Sequence, residues 1–255
     1  MVRHNRIKEG LKKGENFIGT FLKITDPAVA EVLALAGYDF IIIDNEHTVM
    51  DQETLANIIR AADATNMLPT VRVRDMSDAL IRQVLDTGAM GIQVPVINTA
   101  EEARAVVSSV KYAPEGSRGF AASQRSAAYG FMNPREYAEL SNANTLTTVY
   151  CETLEAMENV EAIAAVEGVD VVFIGPFDLS QALGVIGETN HPKVLAAIDD
   201  IIKKVRAAGK AVGTIASDAE QAIALMNKGV QFICLSSDLS MIAGLSKIFF
   251  GKIRP

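Results

Sequence analysis

Phe40-Ile41-Ile42-Ile43-Asp44-Asn45-Glu46-His47 is the stretch on which the fold turns. Four consecutive apolar residues leave no polar face, so a strand here is covered on both sides. The run then breaks at once into four polar residues. The same grammar recurs at Val171-Val172-Phe173-Ile174, followed by Gly175-Pro176-Phe177-Asp178. Strands buried on both faces belong to parallel sheets with helices packed outside them. Working outward, β-branched runs predict strands near Phe17–Leu22, Asp39–Asp44, Pro69–Val73, Gly91–Val96, Thr147–Glu152, Val169–Gly175, Ala211–Ile215 and Gln231–Leu235. Apolar residues at helical spacing fill the intervals at Pro27–Leu35, Gln52–Ala64, Ser77–Asp86, Ala100–Val110, Leu154–Val166, Pro192–Ala208, Asp218–Asn227 and Leu239–Phe250. Eight strand-then-helix units in 255 residues predict an α/β protein of the (β/α)8 TIM-barrel type, one domain spanning residues 1–255. The rival, an open doubly wound sheet, usually shows a Gly-rich phosphate turn after its first strand, and none is present.

Gly37, Gly88 and Gly229 stand between helical stretches and strands, where C-cap glycines belong. Asp51 precedes the second helix as an N-cap. Lys111–Ala143 breaks the alternation and holds a short helical piece after Pro134. A connection this long in a compact domain is usually functional or an interface element.

The charge balance is −7. It gives no general attraction to nucleic acid or to an anionic membrane. Met1 to Asn16 is charged and lacks the apolar core of a signal peptide, and no apolar run reaches the ~18 residues that span a bilayer. Cys151 and Cys234 lie in apolar stretches and read as buried free thiols, which fits a reducing cytoplasm.

Polar residues gather where strands end, which in a barrel is the catalytic mouth. Glu152 and Asp178 stand one βα unit apart. Two carboxylates in one mouth repel unless a proton or cation sits between them, and oxygen donors with open positions suit Mg²⁺, Mn²⁺ or Co²⁺. The plainer reading is that each caps a helix or pairs with a surface lysine. His47, flanked by Asp44 and Glu46, is either a base near neutral pH or a loop histidine bonded to a carbonyl. Period 2 places Thr70, Arg72 and Arg74 on one strand face. Arg72 can hold a carboxylate or a developing oxyanion, or can pair with Asp44 or Asp86; Arg74 lies further out and faces solvent or a loop. Asp86 closes a helix whose macrodipole opposes it, so it calls for a basic partner. That helix ends at the barrel floor, so a role in the mouth needs either a neighbouring subunit or a different course for the helix. Lys23 is the one lysine at a strand's C-terminal end and the candidate for Schiff-base chemistry.

Asp44-Asn45-Glu46-His47, Pro69-Thr70-Val71-Arg72-Val73, Tyr112-Ala113-Pro114-Glu115-Gly116-Ser117-Arg118-Gly119, Glu152-Thr153 and Gly168 through Ser180 occur in the order of a known family. The chain resembles the HpcH/HpaI aldolases, the class II pyruvate aldolases, over nearly its whole length. The resemblance implies a divalent metal and a hexamer with exchanged C-terminal helices. It implies metal binding by Glu152 and Asp178, and enolate stabilisation by Arg72. His47, with Asp86 of an adjacent subunit as its acidic partner, would form a base–acid system working through metal-bound water. The Phe177 and Asp178 amides would take the pyruvate carboxylate, and Asp44 would bond metal-bound water. Family members often carry Gln where this chain has Tyr150.

The resemblance implies reversible cleavage of a 4-hydroxy-2-oxo acid to pyruvate and an aldehyde. Two alternatives stand beside it: a Schiff-base aldolase using Lys23, and a non-catalytic barrel that binds a small acid. The expected partners are small molecules and further copies of the chain.

Overall fold

The structure, a computed structural model, describes residues 1–254. Eight parallel strands close into a barrel in sequence order: β1 (Phe17–Leu22), β2 (Phe40–Asp44), β3 (Leu68–Arg72), β4 (Gly91–Val94), β5 (Leu146–Cys151), β6 (Val171–Ile174), β7 (Ala211–Ala216) and β8 (Phe232–Ser237). β8 returns to pair with β1, with a register shift between Gly19 and Phe21. The predicted (β/α)8 architecture is the one observed, with strand bounds moved by a few residues.

Helices pack outside the strands: α1 (Arg6–Lys12), α2 (Pro27–Leu35), α3 (Gln52–Ala64), α4 (Asp78–Asp86), α5 (Ala100–Val110), α6 (Pro134–Asn144), α7 (Leu154–Glu158), α8 (Val160–Ala164), α9 (Pro176–Ala182), α10 (Pro192–Ala207), α11 (Ala219–Asn227) and α12 (Asp238–Ile253). Asp51 caps α3 by accepting from the Thr54 amide at 2.7 Å. Gly37, Gly88 and Gly229 take the left-handed conformation between helix and strand. None of the helices of the described residues is long and apolar enough to cross a membrane. Both cysteines are free and buried.

Three elements differ from the sequence expectation. The helix expected over Leu154–Val166 is two short helices, because Asn159 leaves helical geometry between α7 and α8. The charged N-terminal arm contains α1. Asn5 caps it, and Ile7 and Leu11, four apart, bury against the residues at the bottom of the barrel. The turn after β6 becomes α9, with Gly175 as N-cap and Pro176 in its first turn.

Alternation sorts the strand side chains into two cores. Ile41, Ile43, Val71, Ile92, Val149, Val172, Ile174 and Ile233 face the helices. Phe21, Phe40, Ile42, Leu68, Tyr150, Val171, Phe173 and Phe232 fill the barrel. Inside, the Phe40 and Phe232 rings stack with centroids 3.8 Å apart. They fit because Gly19 has no side chain: a Cβ there would sit 2.2 Å from the Phe40 ring. The interior is thus packed solid beneath the mouth. Gly19→Ala is expected to lower stability by roughly 1–3 kcal/mol through overpacking, read as a lower urea midpoint with unchanged slope. An unchanged midpoint would mean that Phe40 yields freely.

Candidate active site

The C-terminal end of β2 sets the site. Asp44 pairs in register with Arg72 of β3, and both side chains point inward. The fully buried Asp44 carboxylate accepts from Arg72 Nε at 3.0 Å and Nη2 at 2.8 Å. Lys23 Nζ, past the end of β1, lies 2.9 Å from Oδ2, and the Glu46 and His47 amides each donate to Oδ1 at 3.2 Å. Burial pushes this carboxyl up, but Arg72 and Lys23 outweigh it and hold the pKa at about 2. The two amide bonds fold the chain after β2 into a turn that presents Glu46 and His47 to the mouth.

Glu152 follows β5 and is 5% exposed. The Val96 amide donates to its Oε1 at 2.9 Å. Val96 adopts φ +54°, a left-handed conformation that a β-branched residue rarely takes, and this aims the N–H at the carboxylate. A Cβ on Gly175 would sit 2.5 Å from Glu152 Oε2, so glycine is what leaves room for the side chain. Burial raises the Glu152 pKa to about 7; the Val96 bond opposes this, and Asp178 and Glu46 add to it. Glu46 is also shifted upward, by burial first, with Arg72 and His47 opposing. One oxygen of Glu46 lies 3.1 Å from Arg72 Nη1 without a well-formed hydrogen bond. A cavity of about 200 Å³ gathers Glu46, His47, Val96, Glu152, Thr153 and Asp178. A cavity of this volume suits a small ligand rather than a large one.

Glu152, Asp178 and His47 therefore meet in one cavity, with Arg72 reaching it through Glu46. His47 is 59% exposed, with Nε2 3.7 Å from Glu46. Lys23, the candidate for Schiff-base chemistry, is ion-paired with Asp44. Arg74 is exposed and donates to the Asn45 carbonyl at 3.1 Å, as expected of a residue further out. The Phe177 side chain is exposed, while its amide and that of Asp178 lie in the first turn of α9, where helical N–H groups have no intrahelical partner.

Asp86 lies elsewhere within the chain. It accepts from Arg118 at 2.6 Å, the basic partner that its place at a helix end called for. It lines a separate cavity of about 610 Å³ with Arg60, Arg82, Arg125 and Tyr129. Sequence reasoning named Glu46 only as a neighbour of His47 and missed Val96 altogether. Glu46 was legible from its place between Asp44 and His47; nothing in the residue type of Val96 signals a left-handed backbone.

Comparison with known proteins agrees with this geometry. The chain is 39% identical over 250 residues to the hydroxypyruvate/pyruvate aldolase of Pseudomonas aeruginosa, covering 98% of this chain and 93% of that one. It is 40% identical over 235 residues to the 2-keto-3-deoxy-L-rhamnonate aldolase of Salmonella paratyphi B, covering 92% and 87%. A crystal structure of an HpcH/HpaI aldolase/citrate lyase family protein from Burkholderia cenocepacia superposes with a TM-score of 0.93 at 33% identity, over 98% of this chain and 100% of the other. The pattern of the HpcH/HpaI aldolase/citrate lyase family matches residues 18–243, and the chain belongs to that family.

Proposed function

We propose that the protein is a divalent-metal-dependent pyruvate aldolase, a carbon–carbon lyase that reversibly cleaves a 4-hydroxy-2-oxo acid to pyruvate and an aldehyde. The observation that carries this reading is the convergence of Glu152, Asp178, Glu46 and His47 on one small cavity at the mouth. The names of the two aldolase relatives support the substrate class. The whole of residues 1–255 serves as one barrel domain.

The carboxylates fit a hard cation. Glu152 is buried with its pKa raised, and a Glu46 oxygen beside it lacks a hydrogen-bond partner. Among the described residues no three His, Cys, Asp or Glu side chains are arranged to hold a metal together. Two carboxylates with the other positions left to water and substrate match what Mg²⁺ accepts, and Mn²⁺ or Co²⁺ likewise. Glu152 and Asp178 would hold the ion. When bound, it supplies Lewis-acid polarisation of the 2-oxo group.

The remaining work falls to the chain itself. The Phe177 and Asp178 amides orient the substrate carboxylate at the start of α9. His47 removes the proton from the C4 hydroxyl. The C3–C4 bond breaks, the aldehyde leaves, and the electron pair becomes the enolate of pyruvate. Arg72 stabilises the negative charge that develops on the C2 oxygen. A proton delivered to C3 completes pyruvate. Asp44 keeps the Arg72 fork in place, and we assign its part in catalysis to that contact and to ordering the polar groups around the ion.

Asp86 lies in a different cavity from His47, so its role as acidic partner would be exercised across subunits. The exposed Leu239, Ile242, Leu245, Ile248, Phe249 and Ile253 of α12 support exchange of that helix between copies, in a hexamer as the family resemblance implies. The two free, buried cysteines support a place in a reducing cytoplasm.

Two outcomes are expected. The Mn²⁺-loaded protein releases pyruvate from 4-hydroxy-2-oxo acids, measured by a coupled lactate dehydrogenase assay. His47→Ala and Asp86→Asn each lose that activity, and a mixture dissociated and reassembled together regains part of it. No recovery would remove Asp86 from the neighbouring site. The second outcome concerns pH. A carboxyl raised to about 7 is protonated below that value, and a cation must displace the proton. Mn²⁺ affinity therefore falls as pH drops below about 7, and calorimetry in buffers of different ionisation enthalpy shows proton release. The metal-free chain gains stability from this group below the unfolded value of 4.5 and loses it as pH rises through about 7. Affinity flat from pH 8 to 5.5 would show that no carboxyl at this site titrates near 7.

A further inference from the structure

We propose that Tyr150 is a positioning residue for Arg72, acting through the face of its ring. The proposal rests on the reading of Arg72 as the group that stabilises the enolate.

The Arg72 guanidinium lies over two aromatic rings. Its Cζ is 4.8 Å from the Phe21 centroid and 5.8 Å from the Tyr150 centroid. These rings come from β1 and β5, which stand on opposite sides of an eight-stranded barrel. Phe173 joins them, stacked on Tyr150 at 4.6 Å and edge-on to Phe21 at 6.4 Å. The three rings make a continuous aromatic floor under the arginine.

The floor is fastened. The Tyr150 hydroxyl donates to Gln93 Oε1 at 2.8 Å. Gln93 Nε2 donates to Thr70 Oγ1 at 2.9 Å, and Thr70 donates to the Ile41 carbonyl at 2.8 Å. This chain crosses from β5 through β4 and β3 to β2, and each member is buried. A satisfied chain of buried hydrogen bonds is rigid, because each group would be left unpaired by moving. Burial pushes the phenol pKa well above its usual value, so the hydroxyl remains a donor throughout the neutral range.

Ion pairing alone does not fix the guanidinium. Its bonds to Asp44 lie in the guanidinium plane and set one edge of the fork. They do little against tilting of that plane toward the barrel interior. An aromatic face resists the tilt by contact, and its negative quadrupole favours a cation lying over it. Tyr150 thus supplies the constraint that Asp44 does not. A ring that merely filled the barrel would affect stability without coupling to Arg72.

The test is a double-mutant cycle on the Mn²⁺-loaded enzyme, with pyruvate release as the assay. Tyr150→Leu is expected to lower kcat roughly 10- to 100-fold while KM changes little, because a misplaced group costs transition-state stabilisation. Tyr150→Phe keeps the ring and stays within about threefold of wild type. In an Arg72→Lys background, Tyr150→Leu costs less than about twofold more. A second readout is independent of turnover: the Arg72 Nε–Hε proton, assigned by its loss in Arg72→Lys, should show an upfield ring-current shift that Tyr150→Leu removes. Additive losses in the cycle, a fall in Tyr150→Phe as deep as in Tyr150→Leu, or an unmoved Arg72 resonance would overturn the proposal. Wild-type protein that makes no pyruvate would instead overturn the aldolase reading, while the resonance would still decide the positioning role.

Discussion

The mouth of this barrel depends on one buried ion pair, Asp44 with Arg72. A carboxylate with no solvent contact is costly unless its charge is matched and its lone pairs are filled. Here two guanidinium bonds, the Lys23 ammonium and two backbone amides do both. Each partner is thereby anchored at one edge. Arg72 is turned toward the cavity, Lys23 is tied to the pair, and the turn after β2 puts Glu46 and His47 at the rim. Breaking the pair would leave a bare charge in the interior, so this arrangement is coupled to the fold as well as to the site.

Across the cavity the balance runs the other way. Glu152 sits buried near Glu46 and Asp178, with the Val96 amide donating to its carboxylate. Arg72 lies near enough to lower its pKa, but burial and the neighbouring carboxylates outweigh it. The strained Val96 backbone and the missing side chain of Gly175 are both needed to hold the carboxylate in that place. On the proposed reading, a cation relieves the repulsion among these carboxylates. One wall of the mouth is thus neutralised by the protein itself, and the opposite wall is left for a ligand.

The barrel was legible because strands covered on both faces leave an unmistakable run such as Ile41-Ile42-Ile43, and polar residues crowd the ends of those runs. His47, Arg72, Glu152 and Asp178 could be named on that ground, and the family motifs sharpened the choice. What stayed hidden depended on contacts between distant segments or on backbone shape. Val96 bonds Glu152 across 56 positions, and its left-handed turn has no glycine or asparagine to advertise it. Tyr150 and Gln93 meet only because β4 and β5 are neighbours. Helix α1 was hidden by its charges, although Asn5, Ile7 and Leu11 carry the cap and the apolar stripe of a short amphipathic helix. The break at Asn159 shows the same limit: a continuous helical period over Leu154–Val166 was satisfied by two short helices that meet at that residue.

The most direct measurement of the central claim is proton exchange at the methyl group of pyruvate in deuterated water, followed by ¹H NMR. Enolate formation at the mouth predicts loss of the methyl signal when the protein carries Mg²⁺, Mn²⁺ or Co²⁺. The same account predicts that exchange stops after exhaustive chelation and resumes when the metal is restored. Exchange that continues unchanged in the chelated protein, or that never appears with any of the three metals, would contradict it.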